Sequence, residues 1–311
     1  MSAIQFSSGD VIADRRADYA RMLSEAGDHA AAAELLEQAL EIVPGWTAGW
    51  LLLGEAHQKA GQVEQAIEAF RRVEDLDETG IFGAELKLAL LGAAPTPETP
   101  PSAYVEGLFD DYADRFETAL LDKLNYSVPE KLFALARPHA PFALTVDLGC
   151  GTGLFGVEVA GATHRLEGFD LSANMLAKAE EKGIYRHLAQ ADLSSEAAAD
   201  VLFAEGLAKA RADLVSAADV LMYLGSLDTT FALARDLLKP GGLFAFSVED
   251  AGEAEQGYTL LPSLRYAHTE TYIRTLIAAF GFDLLQMQKT DIRMDGGKLV
   301  YGILFLARLT A

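Results

Sequence analysis

The stretch VDLGCGTGLFG, residues 146–156, limits the fold of this chain more than any other part of its sequence. An apolar run ends at Asp147, glycines then follow at alternate positions, and apolar residues resume at Leu154. Because glycine adopts backbone conformations that other residues avoid, this pattern predicts a tight turn between a strand and a helix. Such a turn is typical of the first strand–helix unit of an α/β sheet.

The segments after this turn indicate the rest of the sheet. Helical segments such as NMLAKAEEKG and LDTTFALARDLLK alternate with short apolar runs, which predicts parallel strands with right-handed crossovers. After a last helix in TETYIRTLIAAFGF, the turn Asp295-Gly296-Gly297 joins FDLLQMQKTDIRM to KLVYGILFLAR and predicts a final antiparallel pair. The five predicted parallel strands are ALTVDLG, RLEGFDLS, IYRHLAQAD, ADLVSAAD and GGLFAFSVE.

An internal repeat occupies the N-terminal part of the chain. Residues 25–42 align with residues 59–76 at a period of 34, and small residues recur where helices would cross. This period and these residues resemble about two tetratricopeptide repeats, and residues 81–93 predict one further helix. The residues that carry the resemblance are the pairs Gly27/Gly61, Ala32/Ala66, Leu36/Phe70 and Ala39/Val73, together with Trp50, Leu53 and Gly54.

Four prolines in GAAPTPETPP, residues 92–101, indicate a linker between two domains. We therefore predict a helical repeat domain over residues 1–94, a linker over 95–102 and a second domain over 103–311, which opens with a helix over 103–124. Two alternatives remain open for the repeats. They either cap the fold or form a contact between copies of the chain, or they dock a partner protein.

Composition excludes several classes of function. The chain carries 25 Lys and Arg against 46 Asp and Glu, and a net charge of −21 repels nucleic acid and anionic membranes. Cys150 is the only cysteine, so an internal disulfide and a cysteine-based zinc site are excluded, and the six histidines show no metal-ligand spacing. The N-terminus lacks the pattern of a signal peptide, and we expect a cytoplasmic protein without a bound metal.

The glycine loop fits two cofactor patterns. From Gly151 it fits the G-x-G-x-x-G of dinucleotide-binding folds, and from Asp147 it fits the acidic-x-G-x-G-x-G loop that holds S-adenosylmethionine. A carboxylate at position 147 would repel a pyrophosphate but suits a cationic sulfonium or amine. Asp170, 19 residues after Gly151, suits the ribose of either cofactor, and Asp192 is expected within reach of an adenine amine. The acids favour S-adenosylmethionine and leave a nicotinamide oxidoreductase as an alternative.

With these motifs, residues 103–311 resemble class I S-adenosylmethionine-dependent methyltransferases. The segments VDLGCGTG, GFDLS, AQAD, ADLVSAADVLMYLGSL and LLKPGGLFAFSVE fall in that family's order and spacing. The whole chain resembles a bacterial subgroup, of type 11 or 12, that carries N-terminal tetratricopeptide repeats. The resemblance implies an α/β, Rossmann-like sheet of strand order 3-2-1-4-5-7-6 with strand seven antiparallel, after an all-α helical domain. It also implies S-adenosyl-L-methionine as cofactor and S-adenosyl-L-homocysteine as product.

The resemblance further implies which residues bind the cofactor. It assigns the glycine loop to the methionine part, Asp170 to the ribose and Asp192 to the adenine amine, and it expects the helix before strand one to fold over the cofactor. The full set is Tyr112, Asp147, Gly149, Cys150, Gly151, Gly153, Asp170, Leu171, Met175, Asp192, Leu193, Ala218 and Asp219.

Methyl transfer from a sulfonium requires few catalytic side chains. The leaving thioether needs no proton, so alignment of acceptor and methyl in a closed pocket can supply most of the acceleration. One candidate catalytic residue is His268 in SLRYAHTETY, placed to orient or deprotonate an acceptor hydroxyl. A small-molecule acceptor is favoured, and the repeats keep a protein acceptor open. The alternative from another class is an adaptor whose fold binds the cofactor without turnover.

Overall fold

The computed structural model describes residues 7–117, 124–254 and 257–310. These residues form two compact units, the first ending at Tyr104 and the second beginning at Val105. Residues 95–101, within the predicted linker, contain neither helix nor strand. The limits of the two predicted domains stay a prediction.

Five α-helices make up the described part of the first unit, and the first four form two helix–turn–helix pairs. Gly27 (φ 87°) and Gly61 (φ 76°), which correspond in the repeat, lie in the turns of the two pairs in the left-handed conformation that favours glycine. The helices are α1 (Val11–Glu25), α2 (His29–Ile42), α3 (Thr47–Lys59), α4 (Val63–Leu76) and α5 (Ala84–Leu90).

Small residues allow these helices to approach closely. Ala32 and Ala66, which correspond in the repeat, are both fully buried. A Cβ atom at Gly54 in α3 would lie 2.5 Å from the ring of Phe70 in α4, so only glycine fits at this crossing. The predicted helical repeat is confirmed, and α5 is the further helix that was expected.

The second unit contains one mixed sheet. Apart from the short hairpin β6–β7, the strands lie in the order β3-β2-β1-β4-β5-β9-β8, and β9 is antiparallel to β5. Strands β8 and β9 correspond to strands six and seven of the predicted order 3-2-1-4-5-7-6. The predicted order is therefore confirmed. The strands are β1 (Phe142–Leu148), β2 (Thr163–Asp170), β3 (His187–Gln190), β4 (Ala212–Ala217), β5 (Leu238–Asp250), β6 (Tyr258–Leu260), β7 (Tyr266–His268), β8 (Phe282–Asp295) and β9 (Lys298–Leu309).

The short hairpin β6–β7 was not predicted. Glu249 at the end of β5 pairs both with Gly302 of β9 and with Ala267 of β7, so β7 lies on the opposite edge of β5 from β9. The last pair between β4 and β5 is Ala217 with Phe246, so the hairpin occupies this edge beyond the end of β4. It therefore borders the carboxyl ends of the strands, where ligands bind in open α/β sheets.

Helices cover both faces of the sheet. One apolar core includes residues of α10, α11 and α12, and the other includes residues of α7 and α8. The predicted helix over 103–124 ends earlier, at Tyr112, in a 3-10 turn over Ala113–Arg115, and residues 118–123 lie outside the described ranges. The helices are α6 (Ser102–Tyr112), α7 (Val128–Ala136), α8 (Leu154–Val159), α9 (Ala173–Glu181), α10 (Ala198–Leu202), α11 (Asp228–Leu237) and α12 (Glu270–Ala279). Across the described ranges, none of the helices has the length and apolar character needed to cross a membrane.

Candidate functional site

The glycine loop connects β1 to α8 at the carboxyl edge of the sheet. Gly149, Gly151 and Gly153 have φ angles of 63°, 53° and 91°, all in the left-handed region that favours glycine. A Cβ atom at Gly149 would lie 2.2 Å from Val220, so a side chain there is excluded. At Gly151 the nearest atom to such a Cβ would be in the ring of Phe116, 4.0 Å away. The loop therefore leaves a cradle in front of Gly151 that a side chain would fill.

The fourth glycine of the stretch, Gly156, makes room for a side chain of the protein and not for a ligand. A Cβ atom at Gly156 would lie 2.3 Å from the hydroxyl of Tyr185, and Cβ atoms at Gly153 and Gly168 would lie 2.9 and 2.8 Å from the Tyr185 ring. The glycine that completes G-x-G-x-x-G thus makes room for a tyrosine. Sequence reasoning missed Tyr185, because nothing in the residues around it shows that three distant glycines surround its ring.

Asp147 lies behind the glycine loop at the end of β1. Its side chain is 1% exposed, and its two oxygens accept hydrogen bonds from the Ser216 hydroxyl at 2.7 Å and the Tyr185 hydroxyl at 2.8 Å. Burial raises the pKa of Asp147 to about 7; the two hydroxyl donors act in the opposite direction, and nearby Asp170 raises the pKa further. In this conformation the carboxylate is bonded to Ser216 and Tyr185 and is not exposed at the surface.

Asp170, at the end of β2, holds the loop from the other side. Its carboxylate accepts the backbone N–H of Gly151 at 2.7 Å and that of Ser172 at 2.9 Å. Burial raises its pKa to about 6, although the backbone donors oppose the shift. Asp147 and Asp170 are neighbours across the paired strands β1 and β2.

The remaining predicted adenine-side residues lie at the ends of β2 and β3. Met175 in α9 and Leu193 after β3 are buried, and Leu171 is half-buried. Asp192 accepts hydrogen bonds from the Ser194 backbone at 2.9 Å and the Ser194 hydroxyl at 2.6 Å. Cys150 is buried within the loop, and burial raises the pKa of its thiol. That these side chains contact a cofactor stays a prediction.

Residues 105–117, here called the covering segment, lie over this edge of the sheet. Acidic side chains of the segment bond to residues of the β2–α9 loop, β3, α9 and the residue after it. These contacts are Glu106 with Gln190 at 2.9 Å, Asp110 with the Ser172 hydroxyl at 2.6 Å, Asp114 with Lys178 at 3.0 Å and Glu117 with Lys182 at 2.6 Å. Phe116 lies next to Gly151, and the ring of Tyr112 packs edge-on against Phe116 with centroids 5.7 Å apart. Tyr112 is thus in the segment that borders the cradle.

A buried network of charges follows β4 and β5. Asp219 has a left-handed φ of 59°, and its carboxylate accepts two hydrogen bonds from Arg293 of β8 at 2.8 and 2.9 Å. Arg293 also donates to Glu249 of β5, which accepts from Arg265 at 2.9 Å. Sequence reasoning named Ala218 and Asp219 but missed the two arginines. Arg293 comes from β8 and Arg265 from the β6–β7 turn, and they join Asp219 and Glu249 only in the folded sheet.

His268 lies on β7 and is fully buried. Its Nε2 is 2.9 Å from the carbonyl oxygen of Gly225, its ring stacks on Tyr272, and burial lowers its pKa to about 4. A general base must reach the proton that it removes, so this burial weighs against the predicted catalytic role and favours a structural one. Across the described ranges, no three His, Cys, Asp or Glu side chains meet in a group that could hold a metal ion.

Comparisons with known proteins agree with this architecture. Residues 146–244 match the model of a family described as "Methyltransferase domain", and residues 23–79 match one described as "Tetratricopeptide repeat". A malonyl-[acyl-carrier protein] O-methyltransferase from Enterobacter lignolyticus is 32% identical over 130 residues, which are 42% of this chain and 45% of that protein. The chain thus matches less than half the length of this curated relative.

A solved structure shows the same fold. The 1,6-didemethyltoxoflavin-N1-methyltransferase of Burkholderia thailandensis, crystallised with 1,6-didemethyltoxoflavin and S-adenosylhomocysteine, superimposes with a TM-score of 0.52. The comparison covers 70% of this chain and 94% of that chain at 20% identity, so it establishes the fold alone. The predicted resemblance and fold class are confirmed for these segments.

Proposed function

We propose that this chain, in which residues 146–244 match a methyltransferase domain and residues 23–79 match a tetratricopeptide repeat, is an S-adenosylmethionine-dependent methyltransferase. The observation that carries the proposal is the cradle in front of Gly151, bounded by three glycines in left-handed conformations and tied to Asp170 through the Gly151 N–H. The absence of side chains at the three glycines lets a ligand approach the backbone of the loop closely. The malonyl O-methyltransferase relative, whose matching segment is 32% identical, supports the same reaction class.

The residues around the cradle fit the proposed cofactor. Asp170 would accept the ribose hydroxyls, the glycine loop would face the methionine part, and Leu171, Met175, Asp192 and Leu193 would surround the adenine. When bound, S-adenosylmethionine supplies an activated methyl group on a sulfonium, and its thioether leaves without a proton. The protein's own contribution is to align the acceptor and to exclude water, and the covering segment with Tyr112 and Phe116 is placed to do so.

A small-molecule acceptor suits this site better than a protein. Ala218 and Asp219 follow β4 and would line the methyl-donor side of the pocket, and the Arg293 contacts hold Asp219 in place. Methyl transfer needs no side-chain base unless the acceptor must lose a proton, so a fully buried His268 is consistent with the reaction. The repeats leave a protein partner as a further proposal.

Two measurements test the proposal. Calorimetry with S-adenosylmethionine, S-adenosylhomocysteine and NAD should show binding of the first two and none of the third, and tight NAD binding alone would overturn the cofactor assignment. Incubation with radiolabelled methyl donor and a cell extract, separated into small-molecule and macromolecular fractions, should label the small-molecule fraction. A malonyl carrier protein is a defined acceptor to test separately, and its labelling would favour a protein-bound acceptor instead. Cofactor binding without any labelled product would favour the adaptor alternative.

A further inference from the structure

Tyr185 connects two features of the site that the proposed function does not explain. Its ring fills the space left by Gly153, Gly156 and Gly168, and its hydroxyl donates to Asp147 at 2.8 Å. A phenylalanine would fill the same space with its ring. The glycine at position 156 faces the hydroxyl itself, at 2.3 Å from a hypothetical Cβ, so the fold makes specific room for that oxygen.

The hydroxyl completes the hydrogen bonding of a buried carboxylate. Ser216 donates to one oxygen of Asp147 and Tyr185 to the other, while the side chain is only 1% exposed. Hydrogen bonds donated to a carboxylate favour its charged form, whereas burial favours the neutral acid. The other titratable groups that face Asp147 are Asp170 on β2, Cys150 in the loop and Tyr126 before α7. None of these adds a positive charge beside it.

We propose that Tyr185 is a positioning residue that, together with Ser216, keeps Asp147 ionised behind the glycine loop. The buried charge then favours the sulfonium S-adenosylmethionine over the neutral thioether S-adenosylhomocysteine, and so promotes exchange of product for substrate. The two ligands differ only in the methyl group and the charge that it brings, and a carboxylate shielded from water is weakly screened. This inference rests on the proposed function.

The test is calorimetry of the full chain with both ligands at pH 8, comparing wild type with Tyr185→Phe. The variant keeps the ring and removes one donor from Asp147. We expect its preference for S-adenosylmethionine over S-adenosylhomocysteine to fall about tenfold relative to wild type, which corresponds to about 1.4 kcal/mol. Repeated between pH 5 and pH 9, the midpoint of the pH dependence of S-adenosylmethionine affinity should move to higher pH. Tyr301→Phe, at a tyrosine 61% exposed on β9, is the matched control and should change neither quantity.

The outcomes separate this inference from the proposed function. Equal weakening of both ligands by Tyr185→Phe, with an unmoved pH midpoint, would show that the hydroxyl only shapes the site and would overturn the inference alone. If the wild type binds neither ligand, the proposed function and the inference are both wrong. Ser216→Ala removes the other donor and should change the ligand preference in the same direction. If Tyr185→Phe does not fold, an unchanged ligand preference in Ser216→Ala would still contradict the inference.

Discussion

Asp147 and Asp170 are single side chains whose ionisation depends on the fold. Burial raises their pKa to about 7 and about 6, although hydroxyl and amide donors oppose the shift. Their folded-state pKa therefore lies above the ordinary value near 3.8. The free energy that they contribute to folding is present at acid pH and is lost as the pH rises through these values. A bound cationic ligand would lower the pKa of both carboxyl groups, because it favours their charged forms.

Asp147→Asn should stabilise the ligand-free protein above neutral pH. The variant cannot ionise, so at pH 8 it avoids the full cost of burying a charge. At pH 5 the wild-type side chain is protonated in the folded state but ionised in the unfolded state, so only a smaller part of that cost is present. A shift of about three pKa units corresponds to at most about 4 kcal/mol. Urea unfolding at pH 5 and pH 8 measures this as a gain in the free energy of unfolding that is larger at pH 8 than at pH 5.

Asp283→Asn, at an exposed position on β8, is the control and should have the same small effect at both pH values. A stability difference for Asp147→Asn that does not depend on pH would show that Asp147 is ionised in the folded wild type without penalty, with a pKa close to that of the unfolded chain. The same variant should also bind S-adenosylmethionine more weakly, because it lacks the charge that the cation requires.

Contacts between secondary-structure elements determine how the covering segment stays on the sheet. Glu106, Asp110 and Asp114 recur every four residues, so they lie on one face of the segment, and each contacts a polar partner on β3, the β2–α9 loop or α9. Asp110 is the most informative of the three, because its partner Ser172 also donates its backbone N–H to Asp170. Ser172 therefore contacts both the covering segment and Asp170, the carboxylate predicted to bind the ribose.

Asp110→Asn should shorten the residence time of S-adenosylhomocysteine. Hydrogen bonds to charged groups contribute about 1.5–3 kcal/mol, so a dissociation rate about tenfold faster is expected. Displacement of radiolabelled ligand by excess unlabelled ligand measures that rate. Asp111→Asn, at the exposed neighbouring position, should leave it unchanged. Equal rates for both variants would mean that the covering segment does not limit ligand release.

A second contact between elements is the buried pairing of Arg293 with Asp219 and Glu249. Removing one member of a buried ion pair leaves an uncompensated charge and typically costs about 3–5 kcal/mol. Arg293→Met should lower the free energy of unfolding by that amount in urea titration. Arg274→Met breaks an exposed pair with Glu270 and should cost less than about 1 kcal/mol. Similar losses for the two variants would contradict a special role for the buried network.

For the chain as a whole, the repeats and the second unit should act independently in cofactor binding. All predicted cofactor residues lie beyond the proline-rich stretch at 92–101. A fragment of residues 102–311 should bind S-adenosylmethionine within about two- to threefold of the full chain, since independent sites change each other's free energies by less than about 0.5 kcal/mol. Calorimetry on both proteins measures this. A folded fragment with no affinity would place part of the pocket in the repeats.

Features encoded by neighbouring or regularly spaced residues could be read from the sequence. The 34-residue period, the alternation of strands and helices, and the glycine loop each follow from local patterns, because backbone conformation and amphipathic faces depend on short-range spacing. The strand order came from family resemblance, and the β6–β7 hairpin was missed because its strands are only three residues long. His268 was proposed as a catalytic residue from its place after β5, which carried no information about its burial.

The hydrogen bonds and ionisation of the candidate site depend on contacts between residues that are far apart in the sequence. Tyr185, Ser216 and Asp147 are separated by many residues along the chain, yet their hydroxyl and carboxylate groups meet behind the loop. Asp147 and Ser216 lie near the carboxyl ends of the paired parallel strands β1 and β4, and Tyr185 reaches Asp147 from the loop before β3. Arg293 reaches Asp219 in the same way from β8. Local patterns therefore sufficed for the fold class and the loop. The protonation of Asp147, the second role of Gly156 and the burial of His268 depend on contacts and on exclusion of water that arise only when distant segments pack together.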